Sequence, residues 1–164
     1  MKAVVLAGGQ EFGQCPLSRQ LPRALWPLVD RPIIEHVLAT LRKDGSPRTT
    51  GLEVRFLDGE LWFGMMPDSL KARDLQRDPR FCLQANPGEG QGMGGGDIRI
   101  SGHAREVTDP GTKAAYVEEV KPPEPFHLFR TELTEVVRTY VEDEKYLVLQ
   151  VWNPGRPLRT IKRT

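Results

Sequence analysis

From residue 37 onward the apolar and polar positions follow the pattern of short strands. "VLATLRK", "TTGLEVRF" and "ELWFGMM" are rich in branched and aromatic residues and are separated by "DGSPR" and "LDG". Asp-Gly between apolar runs is a strong hairpin signal, because glycine takes the positive φ that a tight turn needs. It occurs twice, at Asp44-Gly45 and Asp58-Gly59, and predicts a three-strand meander. "EHVLATLRKDGSPR" can also be read as the end of an amphipathic helix stopped by glycine. The strands that follow decide for the extended form, since tertiary pairing overrides a weak local preference.

"PDSLKARDLQRDP" carries the next change of period. Pro67 or Asp68 opens a helix, Leu70, Ala72 and Leu75 form its apolar face, and Asp78-Pro79 ends it. "RFCLQAN" and "DIRISGHAREV" read as strands, the second alternating through Ile98, Ile100, Gly102 and Ala104. Between them "PGEGQGMGGG", residues 87–96, lacks the G-K-[ST] ending of a phosphate loop and reads as a connector. A short helix from "DPGTKAAYVEEV", the proline-rich "KPPEPF", two long strands ("HLFRTELTEVVRTYV" and "KYLVLQVW") and a basic tail complete the chain. Six or seven closely spaced strands with small flanking helices predict a mainly β, antiparallel barrel of the α+β class.

At 164 residues the chain is long enough for one domain with a substantial core. Its 23 basic and 22 acidic residues leave no field suited to a dedicated nucleic-acid or membrane binder, though a small anion needs only a few placed cations. Cys15 and Cys82 form no C-x-x-C pair, and His36, His103 and His127 have no ligand spacing, so no metal site is expected. "AVVLA" near the N-terminus is too short for a signal core or a bilayer span, which favours a soluble, cytoplasmic protein.

"MKAVVLAGGQ" followed by "PLSRQLPRALWPLVDRPIIEHVL" resembles the start of sugar-phosphate nucleotidyltransferases over residues 2–43. In that family a glycine-rich loop offers backbone N–H groups to nucleotide phosphates while an arginine and a lysine neutralise developing charge. Here "EFGQCPL" places Glu11 where phosphates would lie, and Arg23 stands for the lysine. No alternating strands and helices follow to build the doubly wound sheet. Residues 1–36 are therefore read as an extension serving as packing and leader, and residues 37–164 as the functional domain.

"ATLRKDGSPR", "GLEVRFLDGELWFGMM", "SLKARDLQRDPRFCL", "ISGHAREVTDP" and "FHLFRTELTEVV", in that order, resemble the pyridoxamine 5'-phosphate oxidase-like family of FMN-binding split β-barrels. The resemblance covers residues 37–164 and implies a six- to seven-stranded split barrel, assembled as a homodimer with a flavin between subunits. By that likeness the phosphate lies near the start of the helix after the third strand, at Ser69 and Lys71, where Leu70 replaces the usual arginine. Helix-start N–H groups, a hydroxyl and an ammonium suit a phosphate on physical grounds as well. Thr50, Gly51 and Leu52 match the backbone along the isoalloxazine ring, and Met65 and Met66 match residues beside the phosphate. Trp152 and Arg156 match a C-terminal segment that reaches the partner's flavin. Four of these have a plainer reading: Lys71 as a solvated helix lysine, the two methionines as core, Trp152 as an interface aromatic.

The resemblance thus implies an FMN-dependent oxidoreductase acting on a small molecule that the sequence does not name. Relatives that use the deazaflavin coenzyme, or that bind flavin or haem without turnover, supply the alternatives, with a degenerate sugar-phosphate nucleotidyltransferase a distant further one. No catalytic side chain is nominated, because the flavin carries the redox chemistry.

Overall fold

The computed structural model describes residues 36–85 and 96–164, so the N-terminal extension and most of the glycine-rich connector lie outside the described residues. Among the described residues are nine strands and two helices. The first is β1 (His36–Leu41), which settles the ambiguous stretch as a strand ending before Arg42. β2 (Pro47–Gly51) returns antiparallel to it, Ala39 facing Thr49. Asp44 stabilises the turn between them by accepting hydrogen bonds from the backbone and hydroxyl of Ser46, and Gly45 has φ +83°.

β3 (Val54–Leu57) and β4 (Glu60–Met65) form the second hairpin. Asp58 and Gly59 both take positive φ, 48° and 85°, as a two-residue primed turn demands. The expected single strand "TTGLEVRF" is instead divided at Leu52 and Glu53 into β2 and β3. That division accounts for one strand beyond the expected six or seven.

Helix α1 (Leu70–Arg77) follows, with Ser69 rather than Pro67 or Asp68 at its N-cap. β5 (Arg80–Ala85), β6 (Asp97–Glu106), α2 (Pro110–Val120) and β7 (His127–Glu142) come next. Asp109 caps α2 by accepting from the Thr112 amide. β8 (Tyr146–Trp152) pairs with β9 (Arg159–Arg163), so the basic tail supplies a further strand that alternation did not announce.

The strand order is β2-β1-β5-β6-β7-β4-β3. Its two ends, β2 and β3, are consecutive in sequence and joined through the buried Leu52, so the chain itself bridges the open edges of the barrel. β7 produces the split. One edge pairs with β6 from Phe129 to Thr139, while the other pairs with β4 from His127 to Arg130 and with β8 from Val136 onward. Between Ser101 and Gly102 the β6–β7 register shifts, and this bulge bends the long strands. A Cβ at Gly102 would lie 2.2 Å from the Glu132 carbonyl oxygen, so only glycine allows the two backbones to meet.

The barrel interior is filled by side chains such as Leu38, Leu61, Phe63, Leu83, Ile100 and Phe129, with Phe63 edge-on to Phe81 at 5.0 Å. A second cluster of Trp62, Tyr116 and Leu128 packs beneath α2. Alternate residues of β5 and β6 are buried, matching the period read from the sequence.

The apolar face of α1 differs from expectation. Ala72 and Leu75 are buried, but Leu70 is 54% exposed and Asp74 takes the inward position. A carboxylate there is sustained by partners. Thr40 Oγ1 donates to it at 3.0 Å, Arg48 Nε at 2.6 Å, and Arg77 from the next turn at 3.3 Å. Burial alone would raise the Asp74 pKa, but the bonds from Arg48 and Thr40 outweigh it and hold the carboxyl below its ordinary value.

Candidate functional site

The end of β2 and the start of α1 meet, although they are separated by a hairpin in sequence. Lys71 Nζ donates a 2.7 Å hydrogen bond to the Gly51 carbonyl. Lys71 is half-buried rather than exposed, and burial is the main cause that lowers its pKa, with Glu53 opposing. An ammonium has three donors, so two remain for another acceptor. Beside it, Gly51 is exposed, and a Cβ there would meet nothing within 4 Å, which leaves the backbone open to a flat ligand.

Ser69 is half-exposed, and its side chain makes no capping bond, leaving the hydroxyl uncommitted among the described residues. Its carbonyl accepts the Arg73 amide, so α1 starts cleanly and its first-turn N–H groups lack intrahelical partners. The backbone before it is sharply turned, with Asp68 at φ 60°. Thr50 Oγ1 is buried without a hydrogen-bond partner among the described residues, an orphaned polar atom at the same strand end.

The side chains of Leu52 and Met65 belong to the barrel core, at 5% and 3% exposure, so only their backbones can border a ligand. Met66 is 77% exposed on the loop before α1. Trp152 packs against the core from β8, opposite Val136. Arg156 is exposed in the β8–β9 turn, its amide donating to the Asn153 carbonyl at 3.2 Å. Among the described residues neither forms a hydrogen bond or ion pair with Thr50, Gly51, Ser69 or Lys71. Seven of the nine sequence-predicted residues thus belong to the β2 end and the β4–α1 junction, and two stand apart on the C-terminal hairpin.

What holds α1 in place was missed by the sequence reading. Besides Asp74, Gln76 Nε2 donates at 2.8 Å to Glu106, whose other oxygen meets His127 Nδ1 at 2.6 Å. Burial would raise the Glu106 pKa, but the bonds from His127 and Gln76 lower it overall. The sequence signal for Asp74 was available: it lies between Ala72 and Leu75 on a helix whose inward face must otherwise be apolar.

Among the described residues no group of three or more His, Cys, Asp or Glu could hold a metal, and no helix is long and apolar enough to cross a membrane. Cys82 is a half-buried free thiol on β5.

Comparison with solved structures finds the same fold. PhzG from Burkholderia lata 383, solved in complex with tetrahydrophenazine-1-carboxylic acid, aligns with TM-score 0.59 at 18% identity over 98% of each chain. A pyridoxamine 5'-phosphate oxidase-related, FMN binding protein from Nostoc punctiforme PCC 73102 aligns with TM-score 0.57 at 17% identity, covering 94% of this chain and 93% of that one. At such identities the likeness establishes the fold. A search of curated proteins returns no match. The family model described as pyridoxamine 5'-phosphate oxidase matches residues 36–140, from the first strand into the seventh. By that match the chain belongs to the pyridoxamine 5'-phosphate oxidase family.

Proposed function

We propose that this protein binds FMN at the junction of β2 and α1 and works as a flavin-dependent oxidoreductase on a small molecule. The observation that carries the reading is the meeting of Lys71 with Gly51, which puts a cation with two spare donors beside an open strand backbone. The phosphate of FMN would be held by Lys71, the uncommitted Ser69 hydroxyl and the first amides of α1. The ring would lie along Thr50, Gly51 and Leu52, with Met65 and Met66 bordering the phosphate end. When bound, the flavin supplies the electron acceptor, and the protein contributes orientation and electrostatics.

The same reading makes the protein a homodimer. Trp152 and Arg156 stand apart from the Lys71 cluster, and they would complete the flavin site of the partner subunit. Val141 and Leu147, on the exposed part of the β7–β8 hairpin, are apolar side chains at 43% and 39% exposure that a partner would cover. Titration of the protein with FMN, against riboflavin as the phosphate-free control, tests the reading.

A further inference from the structure

Helix α1 carries Lys71 at its second position, so the roll of α1 about its own axis decides where the ammonium points. With about 3.6 residues per turn, Lys71 and Gln76 lie about 140° apart around the helix. They stand on opposite flanks of the buried Ala72 and Leu75. The Lys71 flank is tied to β1 and β2. Lys71 donates to the Gly51 carbonyl, Asp74 accepts from Arg48 and Thr40, and Arg77 donates to the Leu41 carbonyl. On the Gln76 flank, among the described residues, the side-chain tether is the 2.8 Å bond from Gln76 Nε2 to Glu106, at the end of β6. The Ala104 amide also donates to the Pro79 carbonyl at 2.7 Å, which fixes the chain beyond α1 but not the roll of the helix.

A tether holds only if its far end is rigid. Glu106 Oε1 lies 2.6 Å from His127 Nδ1. An ionised carboxylate only accepts, so Nδ1 donates and the imidazole steadies Glu106 from the other side. His127 is itself fixed, its backbone paired with Met65 of β4 and its ring 6.4 Å from that of Phe129 in the core. Loss of either bond frees one flank while the buried Asp74–Arg48 pair holds the other. The helix can then turn about that pair, and the turn draws Lys71 away from the Gly51 carbonyl.

We propose that Glu106, held by His127 and acting through Gln76, is a positioning residue that sets the roll of α1 and so aims Lys71 at the end of β2. Its bearing on the cofactor rests on the FMN site proposed above; its bearing on Lys71 does not.

Pulse labelling of lysine amines with acetic anhydride, read by peptide mass spectrometry without flavin, tests it. Labelling of Lys71 is measured against that of the exposed Lys43. Gln76→Met keeps the length of an exposed side chain and removes the donor. It should raise the relative labelling of Lys71 by about fivefold, the change that one net hydrogen bond allows. His127→Phe should do the same, whereas His127→Asn, which keeps an N–H near the Nδ1 position, should retain the parent rate. Arg99→Ala breaks the Arg99–Glu135 pair between β6 and β7 away from α1, and should leave Lys71 labelling unchanged. FMN affinity should fall in Gln76→Met and His127→Phe by a similar factor. Raised labelling in a protein that binds no FMN supports the positioning role and sinks the flavin site. Lys71 labelling unchanged in Gln76→Met and His127→Phe, or raised equally by Arg99→Ala or His127→Asn, would overturn the proposal.

Discussion

Lys71 donates its 2.7 Å hydrogen bond to Gly51 from the second residue of α1 to the last residue of β2. The contact pins the helix start to the strand along which the flavin ring is proposed to lie. A solvated lysine would not lose water in this way, and burial is the main reason its pKa falls.

Lys71→Ala should therefore act on binding and on stability together. Loss of a charge-assisted phosphate contact, about 1.5–3 kcal/mol, weakens FMN by about one to two decades. Loss of the Gly51 bond lowers stability by about 1 kcal/mol, visible as a fall in the denaturant midpoint. Riboflavin affinity should change little, since riboflavin has no phosphate. Leu70→Arg places a cation beside the helix start at an exposed position and should tighten FMN in the same fluorescence titration. FMN affinity unchanged by Lys71→Ala would place the phosphate elsewhere.

The dimer is checked by mass. Light scattering at micromolar concentration should return twice the 18.5 kDa of one chain, with or without FMN. Replacing Trp152 by Ala should weaken FMN without unfolding the barrel, because the residue is only partly buried. A stable monomer would sink the assignment of Trp152 and Arg156 to the partner's site.

Asp74 controls the anchoring of α1. Asp74→Asn leaves Arg48 facing a neutral group and should cost roughly 3 kcal/mol, read by urea unfolding. The pH dependence follows from the sign of the shift. The folded-state pKa of Asp74 is depressed, so its stabilisation is complete above the unfolded value near 3.8 and disappears as pH falls through the lower folded value. The wild-type protein should lose stability across that acidic window more steeply than Asp74→Asn. Parallel curves would show that the carboxylate is not the group responsible.

Much of the fold could be read from the chain because its signals are local. Both Asp-Gly turns, the burial period of β5 and β6, and the Asp109 start of α2 depend on neighbouring residues. The division of "TTGLEVRF" was not legible, because β2 and β3 separate only when the barrel closes through Leu52. β9 lacks an alternating apolar face and is a strand because β8 offers it an edge. The same distinction holds for the site. Ser69 and Lys71 were visible as a helix start, whereas the bond to Gly51 and the Asp74 network join residues distant in sequence. The expectation that Leu70 faces inward failed because Asp74, with Thr40 and Arg48 as partners, occupies that side.

Gly102 tests the split of the sheet. Gly102→Ala sets a Cβ against the Glu132 carbonyl at 2.2 Å, and neither backbone can yield without opening the β6–β7 ladder. A loss of about 2–4 kcal/mol is expected from thermal or denaturant unfolding. Gly45→Ala, where a Cβ meets nothing but φ is +83°, should cost less, about 1 kcal/mol. Equal effects at the two glycines would contradict the bulge as the point of closest approach.

FMN binding at the β2–α1 junction is decided by an absorbance-monitored titration of the purified protein. Saturation is expected at about one FMN per chain, with a shift of the visible flavin bands on binding and riboflavin bound at least about tenfold more weakly. Absence of saturable FMN binding up to roughly 1 mM, a limit set by a binding free energy near 4 kcal/mol, would contradict it.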